Sequence, residues 1–305
     1  NISRLFSEMI AIWTVSFWQS LGSPKKFNLI ELGAGNGEMI KIIIESFKNF
    51  PSILNYCNFI IYEKSPLLIK TQKKKLANNK IRWISKFNKI KKYPSIFIAN
   101  EFFDALPIKQ FIKKNNKWYE RNVEFFESGK TRFLDILTNI KKLEKKIGFK
   151  ISYQQKFIEF SPLANSYLKI ISKKIRSSEG GLLIIDYGYF SENMKNTLQS
   201  VLNHRYNNIL NNFGKADITY CVNFNLLKRI IDKLKLKTIG VTSQEKFLTN
   251  LGILKRAEMI SINLPFSKKA DIYYRLKRLI DKNQMGNLFK VMLITDKKIN
   301  FKLGF

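Results

Sequence analysis

Three glycines alternate in Glu31-Leu32-Gly33-Ala34-Gly35-Asn36-Gly37-Glu38, between an apolar run and a helical one. Glycine at such a turn lets the backbone fold tightly and lets a ligand approach main chain that a Cβ would shield. A dinucleotide fingerprint would carry glycine or alanine at position 38, but Glu38 stands there and would repel a pyrophosphate at a helix start. S-Adenosylmethionine has no phosphate, and its amino-acid end and sulfonium are cationic. An acidic rim that includes Glu31, beside Gly33, Gly35 and Gly37, suits it better. Glu63, which closes the next apolar run, is placed to accept hydrogen bonds from both ribose hydroxyls. The glycines alone also fit a plain tight βα connection, and the acidic strand end weighs against that alternative.

The second set is Asn100-Glu101-Phe102-Phe103-Asp104-Ala105-Leu106-Pro107, where two carboxylates and an amide follow a short apolar run. Glu101 and Asp104 could hold a guanidinium in a bidentate grip, with Asn100 beside them, because methyl transfer to nitrogen needs orientation and a neutralised nucleophile. A loop whose Asn and Asp only cap and turn is the competing reading. Asp186 and Tyr187, after Leu182 to Ile185, stand where they would line a substrate cleft; equally, Asp186 would cap its loop. His204, the only histidine, is readable as a general base or substrate contact, and equally as a polar structural residue.

Positioning these groups takes an ordered set of elements. Leu5, Phe6, Met9, Ile10, Trp13 and Phe17 recur at helical spacing until Gly22 and Pro24. Phe27 to Leu32, Cys57 to Tyr62, Ile81 to Ile84 and Ser95 to Ala99 read as short strands, with helices from Glu38 to about Phe47 and from Ser65-Pro66 onward. From Ile108 to about Phe160 aromatic and charged residues alternate, with turns at Asn115-Asn116 and Ser128-Gly129, which predicts an inserted antiparallel meander. Ser161-Pro162 opens a helix, Leu182 to Ile185 resumes the parallel sheet, and strands near Lys237 to Val241 and Leu288 to Thr295 follow among helices. The expected class is α/β, a Rossmann-like sheet with helices on both faces, ligands binding beyond the strands' carboxyl ends. Three segments result: 1–107 with the first helix and cofactor half, 108–160 as the insertion, and 161–305 as the remainder.

With 45% hydrophobic residues, 14 Gly and 7 Pro, the composition excludes collagenous and disordered chains. The longest apolar stretch, Met9 to Trp18, is too short to span a bilayer. Cys57 and Cys221 lie far apart without Cys or His at ligand spacing, so neither a disulfide nor a metal site is expected, and a reducing compartment fits. The net charge of +31 is mostly scattered Lys, accompanied by abundant Ile, Asn and Phe, as A+T-rich codons produce. A solvated basic surface is therefore preferred over a dedicated nucleic-acid face.

Further matches run in order along the chain: Tyr62 to Pro66, Ala99 to Pro107 with Gln110-Phe111, Ile185 to Gly188, Gly214 to Thr219, Val222 to Phe224, and Met285 to Val291. Together with Glu31 to Gly37 they resemble the MidA-like methyltransferases, a family of bacterial proteins and the mitochondrial complex I assembly factor that methylates arginine. The family usually has Gly-Pro-Gly-Arg-Gly where this chain has Gly33-Ala34-Gly35-Asn36-Gly37, which keeps every glycine. Asn1-Ile2-Ser3 looks like the tail of the family's Glu-Ile-Ser segment, so a preceding portion that helps close the active site is expected to be absent. The resemblance implies a class I S-adenosylmethionine-dependent fold and N-methylation of arginine in a protein partner, a subunit of the complex I peripheral arm. It also implies a bacterial cytoplasmic location or, alternatively, the mitochondrial matrix. The rival functions are a nucleic-acid methyltransferase, which Asn100-x-x-Phe103 loosely resembles without its prolines, and a non-enzymatic scaffold with a residual cofactor site.

Overall fold

Seven strands in a row, with the short strand Val222–Asn223 paired in parallel at the end of one of them, make the central sheet of the computed structural model, which describes residues 3–203 and 205–305. Asn1, Ile2 and His204 lie outside those described residues. The strands are β1 (Phe27–Leu32), β2 (Cys57–Tyr62), β3 (Ile81–Ile84), β4 (Ser95–Asn100), β5 (Gly180–Tyr189), β6 (Lys237–Ser243) and β7 (Phe289–Thr295). Their order is β3-β2-β1-β4-β5-β7-β6. All neighbours pair in parallel except β7, which runs antiparallel to β5 and to β6. The apolar runs read from sequence are continuous because both sheet faces are covered. Along β1, Phe27 and Leu29 enter one core, and Ile30 and Leu32 enter the other.

The first core is closed by α1 (Ser3–Ser20), α2 (Glu38–Phe47) and three C-terminal helices. Between α2 and the last three comes α3 (Pro66–Lys75), whose N-cap Ser65 accepts the Leu68 amide at 3.3 Å with Pro66 at the first turn. The second core is closed by α4 (Pro162–Ser178), capped in the same way by Ser161, and α5 (Phe224–Lys233). Each such cap contributes about 1 kcal/mol. The C-terminal helices are α6 (Gln244–Asn250), α7 (Ile253–Ser261) and α8 (Phe266–Ile280). Among the described residues no helix is long and apolar enough to cross a membrane.

The insertion departs from a simple meander. Lys109–Lys114, Lys117–Phe125 and Thr131–Thr138 follow one another as antiparallel neighbours, turning at Asn115-Asn116 with positive φ at both. A helix, Ile140–Ile147, then intervenes, begun by the Asn139 cap and stopped by left-handed Gly148. It carries Phe157–Phe160 back to pair with Lys109–Ile112, on the far side of the sheet. That strand enters the core through Ile158 and Phe160 and takes the edge beside Lys109–Ile112, opposite the edge held by Thr131–Thr138.

Candidate active site

Leu32 ends β1 and the chain turns through Gly33, Gly35 and Gly37 at φ of 66°, 52° and 80°. A Cβ on Gly33 would meet the Phe102 ring at 2.9 Å, whereas nothing lies within 4 Å of one on Gly35. Gly33 therefore makes room for the β4 loop, while Gly35 leaves main chain open to whatever enters. The turn is one wall of a cleft of about 760 Å³ beyond the carboxyl ends of β1 and β4. Phe6 of α1, Asn100 and Glu101 at the end of β4, and Tyr274, Arg275 and Arg278 of α8 form the others.

Glu31 lines this cleft from inside β1, buried, with its Oε2 atom lacking any hydrogen-bond partner. Burial pushes its pKa up to about 8, and the Ile40 amide at the start of α2 offsets part of that rise. An unpartnered buried carboxyl group of this kind holds a proton until a cation arrives to replace it. The open cradle at Gly35 and the orphaned oxygen of Glu31 are thus the shape and the charge that the amino-acid end of S-adenosylmethionine requires.

Glu63 closes β2 but does not line the cleft. Its Oε1 atom accepts the Lys64 and Ser65 amides at 2.8 and 3.0 Å, and its Oε2 atom accepts from Gln72 at 3.3 Å. A carboxylate has about four acceptor positions, so these three donors leave about one open.

Beyond β4, Glu101 takes a positive φ of 48° and projects into the cleft, where burial raises its pKa and Asn100 donates to it at 3.3 Å. Asp104 sits behind, buried, its backbone amide donating to Asp186. Its pKa is pushed up to about 6 by burial and then by the charge of Glu101. Asp186 is fully buried, and its Oδ2 accepts the Phe103 amide at 2.8 Å and the Asp104 amide at 3.4 Å, while Oδ1 accepts the Tyr187 amide at 3.0 Å. Burial, then the charge of Asp104, raises its pKa well above the carboxylate range. Asp186 thereby ties the β4 loop to the end of β5. Tyr187 packs edge-on against Phe289 and does not line the cleft.

The structure therefore brings Glu31, Gly33, Gly35, Asn100 and Glu101 to one cleft, and leaves Gly37, Glu63, Asp104, Asp186 and Tyr187 around its margin. Of the carboxylates on its walls, Glu38 pairs with Lys75 and Asp271 with Arg275. Among the described residues Glu31 and Glu101 have no cationic partner. Sequence reasoning missed the α8 wall, because Tyr274, Arg275 and Arg278 read as an ordinary solvated helix face.

Strand order 3-2-1-4-5-7-6 with an antiparallel seventh strand, and a glycine turn after the first, define a class I methyltransferase fold. Two solved proteins of Burkholderia thailandensis share it. One has a TM-score of 0.83 at 21% identity, over 99% of this chain and 82% of the other. The second, solved with S-adenosyl-homocysteine, has a TM-score of 0.80 at 20% identity, over 100% and 79%. A family model described as "Putative S-adenosyl-L-methionine-dependent methyltransferase" matches residues 9–242, and the chain belongs to that family. It is a methyltransferase whose cofactor is S-adenosylmethionine. Among curated relatives, the mitochondrial protein arginine methyltransferase NDUFAF7 of Xenopus tropicalis is 28% identical over 95% of this chain and 73% of its own length. The human protein of that name is 27% identical over 95% and 70%.

Proposed function

We propose that this methyltransferase acts on an arginine side chain of a protein. The observation that carries the reading is the pair of cation-free carboxylates in the cleft, Glu31 and Glu101, in a chain of net charge +31. One answers the ammonium group of the cofactor; the other, at the end of β4, answers a cationic substrate. The same two carboxylates oppose a phosphate backbone, while the arginines of the cleft, Arg275 and Arg278, stand on the α8 wall. The names of the curated relatives agree with arginine as the acceptor. The resemblance noted above points to a subunit of the complex I peripheral arm as the partner, in a reducing interior, matrix or bacterial cytoplasm, where Cys57 and Cys221 stay as thiols.

When bound, the cofactor supplies a methyl group activated by its sulfonium. Gly35 and Glu31 would hold it, through open main chain and through the carboxylate respectively. Glu101 accepts N–H bonds from the guanidinium and aims one nitrogen along the cleft, so that orientation provides much of the acceleration. Methylation would leave the acceptor nitrogen with one surplus proton. Glu101 takes it, its own pKa raised by burial, and the nearby Asp104, raised to about 6, is a second acceptor for the proton.

The test is methyl transfer to arginine-containing and matched lysine-containing peptides by the wild type and Glu101→Gln. Transfer to arginine alone is expected, with kcat falling about 100-fold or more in the variant and cofactor affinity within about twofold. Transfer to lysine, or a variant impaired only in cofactor affinity, would sink the proposal.

A further inference from the structure

Gln72 is the one fully buried residue of α3, standing in the run Thr71-Gln72-Lys73-Lys74-Lys75. Its Nε2 donates to the Gly35 carbonyl at 2.8 Å and to Glu63 Oε2 at 3.3 Å, and its Oε1 accepts the Trp83 indole N–H at 3.0 Å. The orientation of the amide has a single solution. An indole can only donate, while a main-chain carbonyl and a carboxylate can only accept, so the amide cannot be turned over without breaking all three bonds. Trp83 on β3 is thus the anchor that points the two donors of Gln72 at the glycine turn and at Glu63.

We propose that Gln72 is a positioning residue for the cofactor, coupling the glycine turn after β1 to the acidic end of β2. Two consequences of the geometry carry this. A trans peptide plane places the Asn36 N–H opposite the Gly35 carbonyl. Gly35 and Asn36 line the cleft and Gln72 does not, so holding that carbonyl on the far side turns the Asn36 amide towards the ligand. On Glu63, the Lys64 and Ser65 amides occupy Oε1, so the acceptor position left for a ribose hydroxyl is on Oε2, and its direction is set by the bond from Gln72. One side chain thereby fixes the spacing between the two elements that grip the cofactor. Burying an amide for packing alone would be costly, and its two donor bonds both end on cofactor-site elements.

The decisive variant is Gln72→Glu, which has the same shape and still accepts from Trp83, but turns a carboxylate towards the Gly35 carbonyl and Glu63. Calorimetric affinity for S-adenosyl-homocysteine and steady-state kinetics with S-adenosylmethionine are measured at pH 8 and pH 5.5. At pH 8 the affinity is expected to fall about 30-fold and KM for the cofactor to rise in parallel, with kcat at saturation within about threefold. At pH 5.5 protonation restores one donor, so the loss relative to wild type shrinks to about fivefold. A role confined to packing would give no such pH-dependent recovery. An affinity within twofold of wild type at pH 8, or a loss that is the same at both pH values, would overturn the proposal. Should Gln72→Glu fail to fold, Trp83→Phe decides: releasing the anchor is expected to weaken product binding at least threefold, and unchanged binding would overturn it.

Discussion

Replacing Glu31 by Gln should make the free protein more stable and the cofactor complex weaker, and both effects can be sized from the burial of one carboxyl group. A glutamate that ionises at 4.5 when exposed ionises at about 8 in the folded protein, because its charged form is desolvated. A carboxyl group raised in the fold costs stability where the unfolded chain is ionised and the native protein is not. Linkage puts that cost at about 3 kcal/mol at pH 7 and under about 1 kcal/mol at pH 5, levelling off at about 5 kcal/mol above about pH 9. Glutamine has no charge to desolvate, so Glu31→Gln should melt about 6 °C above wild type at pH 7, taking roughly 2 °C per kcal/mol for a chain of this size, and close to wild type at pH 5. In the wild type at pH 7 about 0.9 of the sites hold the proton that an arriving ammonium group must displace. Titration with S-adenosyl-homocysteine in phosphate and in Tris should therefore show a binding enthalpy that depends on the buffer, with about one proton released per site. The variant should release none and bind at least tenfold more weakly. Equal melting shifts at pH 5 and pH 7, or proton release that survives in the variant, would refute the argument.

Gly35→Val should lower affinity for S-adenosyl-homocysteine at least 100-fold, since its side chain enters the cleft, while left-handed strain costs only about 1–2 kcal/mol of stability in thermal melts. An affinity within threefold of wild type would show that the turn is not the cradle. Asp186→Ala strands the Phe103 and Asp104 amides and should cost about 1–3 kcal/mol in denaturant unfolding together with most of kcat, whereas Asp186→Asn, which keeps an acceptor, should retain the larger part of both. Because the pKa of Asp104 is raised to about 6, kcat should climb with pH below that value and level off above it, and Asp104→Asn should abolish the inflection in a pH–rate profile.

The sheet was legible because its strands are buried on both faces and therefore appear as unbroken apolar runs, and because glycine, proline and serine mark their junctions; β1 and β2 begin and end where those runs do. The helix Ile253–Ser261 was not, since only Ile253, Ala257 and Ser261 are buried along it, too sparse a stripe to give a period. Within the site, Gly35 and Glu101 announce themselves through residue type at a strand end. The pairing of Asp104 with Asp186 and the bonds of Gln72 join residues far apart in the chain, and a glutamine amid lysines carries no local signal of burial.

Phe6 and Gly33 line one cleft with Arg278 and Met285, so residues far apart in the sequence meet there. During synthesis the strands β1 to β5 can pair well before α8 has left the ribosome, and what exists then is a sheet with an unfinished mouth. The cleft that Gly35 and Glu101 line is complete only once α8 has joined it, so a chain cut before Tyr274 would leave it open on one side.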